Sequence, residues 1–269
     1  MADKYTEIKF PKTRIATLDI CEIGLKRHYV KGLVELDVTK ARQLIREYRE
    51  KNHTALSFLA WLIKTISTTL SEHQQAHAYL RGKRKALVFD DIDVAITIEV
   101  QYDGVFVPLP YVIRQTNHKS LTEISEEIER VKNQPVTKKD MVLGQQDKSF
   151  SSSIYYLLPG FLRKWIWKVS LLNPKTAHKN MGSVVITSVG MMGNISGWFI
   201  PISVHPLSFG VGAIKKKPAV MKNQIVIREF LHLTILMDHD VIDGAPAVRF
   251  ISKLGKHLES GFGLTESGS

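Results

Sequence analysis

Four apolar segments next to turn residues constrain the fold of this chain more than any other feature. DDIDVAITIEV alternates apolar and polar residues and runs through an Asp-Gly pair at 103–104 into VFVPLPYVIR. Further on, SFGVGAI and IVIREFLHLTILM are two more such segments, with a KNQ turn before the second. A period of two is typical of a β-strand, and an Asp-Gly turn favours a hairpin. The sequence therefore predicts antiparallel strand pairs, with VELDVT and GSVVITSVG as further strands.

Helical segments separate these strands. KARQLIREYREKN follows VELDVT, and Ser120 with Glu123 predicts a capping box for the helix LTEISEEIERVKN. The segment TALSFLAWLIKTISTTLSEHQQAH has an apolar face at helical spacing, made by Leu59, Leu62, Ile63, Ile66 and Leu70. Strands and helices in this mixed order predict an α+β fold, in which helices are layered on a sheet. Because no linker or repeat interrupts the chain, we expect a single domain over residues 1–269.

The composition limits the class of protein. The 269 residues are 44% hydrophobic, which is enough for a full core. The single cysteine, Cys21, excludes an internal disulfide and fits a reducing compartment. The N-terminus lacks a secretion signal, and the most apolar stretch, ALSFLAWLIKTISTTL, contains Lys64 and several hydroxyls. We therefore expect a cytoplasmic protein without integral membrane association.

The net charge of +11 is compatible with polyanionic partners. The sequence has no helix packed with Arg and Lys, no zinc-finger spacing and no aromatic-basic RNA motif, so nucleic acid is not an expected partner. The one basic cluster, KKKP at residues 215–218, is by itself most simply a solvated turn. His73 and His77 have a metal-like spacing, but neither a glutamate nor a third ligand accompanies them, so we expect a solvated helix face and no metal.

Residues 237–250, MDHDVIDGAPAVRF, place His239 at the end of the predicted strand LHLTILMDH. Pro246 suits the first turn of a helix, with Asp243 or Gly244 as its cap. Strand ends that lead into turns often carry functional side chains. An imidazole with a pKa of about 6.5 is largely neutral at pH 7 and therefore accepts a proton. Taken alone, the pattern still favours an ordinary histidine over a catalytic base.

The wider sequence resembles the catalytic domain of dihydrolipoyl acyltransferases, the core components of 2-oxo-acid dehydrogenase complexes, which share their fold with chloramphenicol acetyltransferases. H-x-x-x-D-G at a strand end, as in MDHDVIDGAPAVRF, is similar to the family's catalytic motif. GSVVITSVGMMG resembles the family's strand that carries a Ser or Thr before a glycine turn, and FGVGAIKKKPAVMKNQIVIRE resembles the segment that joins the two. VELDVTKARQLIREY and DIDVAITIEVQYDGVFVPLPYVIR also follow the pattern, so the likeness covers residues 30 to 260, roughly.

Some features lean toward the chloramphenicol acetyltransferase branch. TLDICEIGLKRHYV resembles that branch's N-terminal strand and basic helix, and SIYYLLPGFLRKWIWKV resembles its aromatic segment near the acceptor pocket. Asp240 departs from the acyltransferase cores, in which an arginine usually follows the histidine. The resemblance implies a chloramphenicol acetyltransferase-like α+β fold, a mixed sheet with flanking helices. We expect the catalytic domain alone, without a lipoyl or subunit-binding domain.

The resemblance also implies a reaction. A coenzyme A-dependent acyltransferase moves an acyl group between acyl-coenzyme A and a thiol or hydroxyl acceptor. His239 would be the general base, and Thr187 would donate a hydrogen bond to the oxyanion, with Ser188 as the reserve candidate. Asp243 would pair with an arginine and hold the turn; the first candidate is Arg27 and the second is Arg14.

Gly244 would permit the tight backbone into the helix, and Lys215 and Lys216 would meet the phosphates of coenzyme A. The expected assembly is a homotrimer with active sites between subunits, with higher assembly left open. A lipoyl group would have to come from a partner protein.

Two other functions stay open: a non-catalytic or assembly-core homologue and, with less support, a nucleic-acid binder that uses the positive charge. A helix with Phe161, Trp165, Lys168 and Leu172 also has more than one interpretation. It lies on a membrane surface, or it covers an acceptor pocket or a subunit interface. We favour the pocket or interface because the net charge of the helix is small.

Overall fold

A computed structural model describes residues 5–10, 14–52, 56–102, 105–134, 152–188 and 195–265. Its helices are α1 (Arg14–Gly24), α2 (Thr39–Asn52), α3 (Phe58–Glu72), α4 (Leu121–Asn133), α5 (Ser152–Leu157), α6 (Gly160–Leu172), α7 (Pro174–Met181) and α8 (Gly244–Ser260), with a 3-10 turn at Gln74–His77. Its strands are β1 (Tyr29–Asp37), β2 (Tyr79–Arg81), β3 (Lys85–Leu87), β4 (Val94–Tyr102), β5 (Val105–Ile113), β6 (Val184–Ser188), β7 (Leu207–Met221) and β8 (Gln224–Asp238).

Six of these strands form one mixed sheet in the order β1-β8-β7-β6-β4-β5, while β2 and β3 pair separately. β6 runs parallel to both β4 and β7, and the other neighbours in the sheet are antiparallel. β7 and β8 are 15 residues long, and their hairpin turns at Lys222 and Asn223, which both have positive φ. The α+β fold class predicted from the sequence is confirmed: a mixed sheet with flanking helices.

One face of the sheet packs against α2, α3, α4 and α8, and this layer holds the hydrophobic core. Alternate residues of β8 supply its centre, each fully buried: Leu231, Leu233, Ile235 and Met237. β6 contributes Val184 and Ile186 to the same layer. Because side chains alternate along a strand, the residues between them point to the opposite face of the sheet.

Residues 195–203 cover that opposite face, which we call the loop face. The Trp198 indole N–H donates a 3.0 Å hydrogen bond to the carbonyl of Val34 on β1. A Cβ at Gly210 would lie 2.5 Å from the carbonyl oxygen of Phe199, so only glycine lets the loop come so close to β7. The loop face is therefore also screened from solvent over the middle of the sheet.

Most predicted elements occur where the periodicity placed them, and the capping box at Ser120 and Glu123 is formed. Three expectations are wrong. TLDICEIGLKRHYV does not begin with a strand followed by a helix, because Arg14–Gly24 form α1 and the strand β1 starts only at Tyr29. KKKP does not form a turn, because Lys215–Lys217 lie inside β7 and pair with β8. His77 does not lie on a solvated helix face: it is fully buried in the 3-10 turn, and its Nδ1 lies 2.9 Å from Ser183 Oγ. The predicted turn at 103–104 lies outside the described residues.

Candidate active site

His239 lies one residue beyond the end of β8, at the start of a turn that leads into α8. The turn is held from both sides. The His239 backbone N–H donates a 2.8 Å hydrogen bond to the carbonyl of His28, and the N–H groups of Val241 and Ile242 donate to the Asp238 carbonyl. Val241 and Ile242 are buried, whereas the His239 side chain is exposed. The scaffold thus fixes the backbone and leaves the imidazole free to meet another molecule.

Asp238, the last residue of β8, holds the turn in place through hydrogen bonds to its carboxylate. Its Oδ2 accepts a 2.8 Å hydrogen bond from Arg27 Nη1, and its side chain is 2% exposed. Burial raises the pKa of Asp238, and the positive charge of Arg27 opposes that rise. A second oxygen, Oδ1, accepts a 3.2 Å bond from the Asp240 N–H. The carboxylate therefore links β1, β8 and the turn that carries His239.

The predicted pairing of Arg27 with Asp243 is wrong, because Arg27 pairs with Asp238. The sheet register explains the difference: Tyr29 is the partner of Asp238, so Arg27, two residues earlier, emerges beside that carboxylate. Arg14, the second candidate, is exposed, and its guanidinium lies 5.5 Å from the ring centre of Phe10. Sequence reasoning passed over Asp238, although its position next to the histidine in a DH pair was a signal.

Asp240 has a partner that the sequence did not indicate. His28 Nδ1 lies 3.0 Å from Asp240 Oδ1. Both side chains are substantially exposed, at 75% and 40%, so the pair contributes little to stability. The residue that replaces the family's arginine therefore makes its own link to β1.

Asp243 and Gly244 occupy the start of α8, as predicted, with Asp243 at the N-cap position. The Asp243 side chain makes no capping hydrogen bond there and is exposed. The prediction that the backbone needs a glycine at Gly244 is wrong, since its φ is not positive and an added Cβ would meet no atom within 4 Å. Within one chain, then, both residues face open space.

Thr187 and Ser188 are neighbours at the end of β6, but they point to opposite faces of the sheet. Ser188 shares the face of Val184 and Ile186, which is the core side. Its Oγ is buried without a hydrogen-bond partner among the described residues. Thr187 lies on the loop face, is partly exposed and pairs in register with Gly210. This geometry favours Thr187 over Ser188 as a hydroxyl that contacts a ligand.

Thr187 and His239 do not meet within one chain. Thr187 is level with Gly210, which is level with Thr234. Thr234 is five residues before His239, so the two predicted groups are separated by about 17 Å along the strands, at roughly 3.4 Å per residue. Lys215 is level with Phe230, still further from His239 along β8. The predicted residues therefore form two half-sites in each chain.

The described residues contain neither a cluster of His, Cys, Asp and Glu side chains that would hold a metal ion nor a helix with the length and apolarity needed to cross a bilayer. The structure defines a class: an α+β protein whose sheet carries an exposed histidine at the end of one strand and a hydroxyl on its loop face.

Comparison with known proteins narrows this class to a family. The profile of the 2-oxoacid dehydrogenase acyltransferases, catalytic domain, matches residues 25–150 and 172–264, so the chain belongs to that family. Similar curated proteins include the dihydrolipoyllysine-residue acetyltransferase component of the pyruvate dehydrogenase complex of Corynebacterium glutamicum, 24% identical over 92% of this chain and 32% of that protein. The same component from Mycoplasma genitalium is 24% identical over 91% of this chain and 56% of its own length. The chain thus spans between a third and somewhat over half of these relatives.

Solved structures share the fold. A probable dihydrolipoamide acetyltransferase of Listeria monocytogenes superposes with a TM-score of 0.67 at 19% identity, over 98% of both chains. The dihydrolipoamide acetyltransferase of Azotobacter vinelandii superposes with a TM-score of 0.68 at 17% identity, over 95% of this chain and 92% of that one. In that protein a serine, a histidine and an asparagine have been investigated for their role in the catalytic mechanism.

Proposed function

We propose that this chain is a coenzyme A-dependent acyltransferase that moves an acyl group between acyl-coenzyme A and a thiol or hydroxyl acceptor. The observation that carries the proposal is the turn at His239: its backbone is fixed by Asp238, Arg27 and His28, while its imidazole is exposed. A rigid turn with a free imidazole is the arrangement that a general base requires. The family assignment supplies the reaction class.

In the proposed reaction a thiol acceptor gives its proton to the His239 imidazole as its sulfur attacks the thioester carbonyl carbon of acyl-coenzyme A. A thiol with a pKa of about 8.5 is mostly protonated at pH 7, so the base raises its nucleophilicity. The tetrahedral intermediate carries an oxyanion, which collapses to form the new thioester. Coenzyme A leaves as a thiolate and takes the proton back from the imidazolium, so that protons and charge balance.

Thr187 is the proposed oxyanion donor. Its side chain leaves the sheet on the loop face, while the Ser188 Oγ is buried on the core side. A hydroxyl directed at the developing oxyanion contributes about 3 kcal/mol in a site that excludes water. The spacing of the Azotobacter protein supports this choice: its investigated serine and asparagine lie 52 residues before and four residues after the histidine. Thr187 and Asp243 stand at the same distances from His239.

A site of this kind requires more than one copy of the chain. Thr187 and His239 stand about 17 Å apart along the strands of one sheet, so a neighbouring copy has to bring its Thr187 to the first copy's His239. We place the two half-sites together in a cyclic homotrimer, in which each of three identical interfaces holds one complete site. The exposed surroundings of His239, Asp243 and Gly244 are consistent with a partner at this end of β8.

Lys215 and Lys216 are proposed to meet the phosphates of coenzyme A. They lie in β7 beyond the register shift that follows Val211. Along the strands they are therefore closer to Thr187 than to His239. Lys216 is exposed. In the trimer they would therefore accompany the half-site of Thr187 and not that of His239, and a lipoyl acceptor would have to be carried in by another protein.

The test is the formation of S-acetyldihydrolipoamide from acetyl-coenzyme A and free dihydrolipoamide. Chromatography measures the product over time. We expect turnover by the wild type and a loss of two to four orders of magnitude in kcat for His239→Ala, roughly. Val88→Ala, an exposed position outside both half-sites, is the matched control. If wild type and His239→Ala transfer acetyl groups equally to every acceptor that works, His239 is not the base. If coenzyme A does not bind by calorimetry, the chain is the non-catalytic homologue.

A further inference from the structure

Helix α6 carries a continuous exposed apolar surface. None of its residues is fully buried, and five of its large apolar side chains are exposed. These are Phe161 at 69%, Leu162 at 36%, Trp165 at 61%, Val169 at 46% and Leu172 at 67%. At about 100° per residue they fall within an arc of roughly 100°, with Lys168 at its edge. We call this surface the α6 stripe.

The side of α6 that faces the rest of the chain carries the half-buried Ile166 and Trp167 together with Arg163 and Lys164, whose charges are paired with carboxylates of α1. Arg163 Nε donates a 2.8 Å hydrogen bond to Asp19 Oδ2, and the Asp19 side chain is 7% exposed. Tyr155 of α5 donates to the same oxygen, also at 2.8 Å. Lys164 Nζ lies 3.0 Å from Glu22 Oε2 on α1. These ion pairs fix the rotation of α6 about its axis and so turn the apolar stripe outward.

This segment is separate from the part of the chain that carries the proposed reaction. The family profile matches residues 25–150 and 172–264. Helices α1 and α5 lie outside these ranges, and so does α6 except for its last residue. Thr187 and His239 both lie within the matched residues. Apart from Leu172, the α6 stripe thus lies outside the residues that the family profile matches.

In place of the pocket or subunit interface that the sequence favoured for this helix, we infer that the α6 stripe docks this protein on the surface of an anionic lipid bilayer. A helix of 13 residues is about 20 Å long, too short to cross roughly 30 Å of hydrocarbon, so it lies in the plane of the interface. Trp165 and Phe161 provide the large amphipathic or apolar rings that enter the boundary between headgroups and acyl chains. Lys168, at the edge of the stripe, extends its ammonium toward the lipid phosphates.

The charge around the α6 stripe is complementary to an anionic lipid surface. Residues 152–181 contain five lysines and arginines and neither aspartate nor glutamate. Arg163 and Lys164 are paired with α1, and Lys168 and Lys175 lie on the exposed surface of α6 and α7. Phosphatidylglycerol or phosphatidylserine is complementary in charge to this basic surface.

The experiment is flotation of the full chain with vesicles of equimolar phosphatidylcholine and phosphatidylglycerol, compared with vesicles of phosphatidylcholine alone. We expect binding to the anionic vesicles that weakens as salt is added. The variant Trp165→Glu/Leu172→Glu places two charges in the stripe, and we expect its partition to fall at least about tenfold. Val88→Glu, an exposed apolar position outside the stripe, is the matched control and should bind as the wild type does.

A second measurement locates the contact. Trp165→Phe keeps the stripe apolar, so it should still float with the vesicles, but it should lose most of the tryptophan quenching by brominated lipids. Absence of binding by the wild type overturns the proposal. Equal binding of Trp165→Glu/Leu172→Glu and the wild type also overturns it. If the wild type does not bind vesicles and that variant forms a smaller oligomer in sedimentation velocity, the stripe makes contacts between copies of the chain instead. Acetyl transfer in solution is measured separately, so failure of the acyltransferase proposal leaves this test unaffected.

Discussion

Arg27 and Asp238 join the start of β1 to the end of β8 through a 2.8 Å ion pair whose carboxylate is 2% exposed. They are neighbours because the antiparallel register places Tyr29 opposite Asp238. His239 follows directly, and its own N–H is bonded to the residue between Arg27 and Tyr29. The position of the proposed base thus depends on a contact between residues 211 positions apart in the chain.

Removal of Arg27 should destabilise the fold. Arg27→Met leaves the Asp238 carboxylate buried without its cation, and we expect a loss of about 3 kcal/mol in the free energy of unfolding. Urea denaturation measures it. Lys26→Met removes an exposed cation at 3.8 Å from Glu22 and should change stability by less than about 0.5 kcal/mol. Arg27→Met/Asp238→Asn, which removes the charge as well, should recover part of the loss; a double variant as unstable as the sum of both single variants would contradict the ion-pair account.

The two hydroxyls at the end of β6 should differ sharply in catalysis. Thr187→Val keeps the shape of the side chain and removes the donor, and we expect kcat to fall by about two orders of magnitude. Ser188→Ala removes a buried hydroxyl that has no partner among the described residues, so kcat and stability should change little. Steady-state kinetics and thermal unfolding of both variants check this. The reverse order of effects on kcat would assign the oxyanion to Ser188.

Mixing experiments distinguish a site between subunits from one within a chain. His239→Ala and Thr187→Val should each be nearly inactive alone. After unfolding and refolding together in equal amounts, we expect about a quarter of the wild-type activity, because a site with one group from each of two neighbours is intact with that probability. Each variant refolded alone is the control. Activity of the mixture no higher than that of either variant would place both groups in one chain.

Acidification should destabilise the protein through His77. Burial lowers the pKa of His77 to about 4, whereas a histidine in the unfolded chain titrates near 6.5. Between these values the unfolded state binds more protons than the folded state, so the free energy of unfolding should decrease as the pH falls from about 6.5 to about 4. Denaturation midpoints across this window measure the slope.

His77→Gln should reduce the slope without abolishing it, because burial also lowers the pKa of His205 to about 4. His28→Gln, which replaces an exposed histidine, serves as the control. A wild-type midpoint that stays constant or rises on acidification in this window would show that His77 does not titrate as its burial requires.

The periodicity of the sequence determined the elements by itself. Alternation in IVIREFLHLTILM and helical spacing from Leu59 to Leu70 follow from local geometry, which needs no knowledge of the partners. The position of His239 at a strand end before a helix, and the hydroxyl pair at Thr187 and Ser188, were visible for the same reason. Charge and polarity patterns predicted local structure less well. KKKP was expected to form a turn but belongs to a strand, and His77 was expected on a solvated helix face but is buried.

Only the tertiary structure decided which groups are partners. The sequence did not show which carboxylate pairs with Arg27. The register of β1 on β8 places it beside Asp238. Thr187 was already the first candidate from the sequence, and the structure added the face of the sheet that it and Ser188 each occupy. The outward direction of Phe161 and Trp165 came from ion pairs between α1 and α6. Periodicity describes how a segment alternates, but which of its faces is covered depends on segments that are distant in the chain, and that information is present only once the chain has folded.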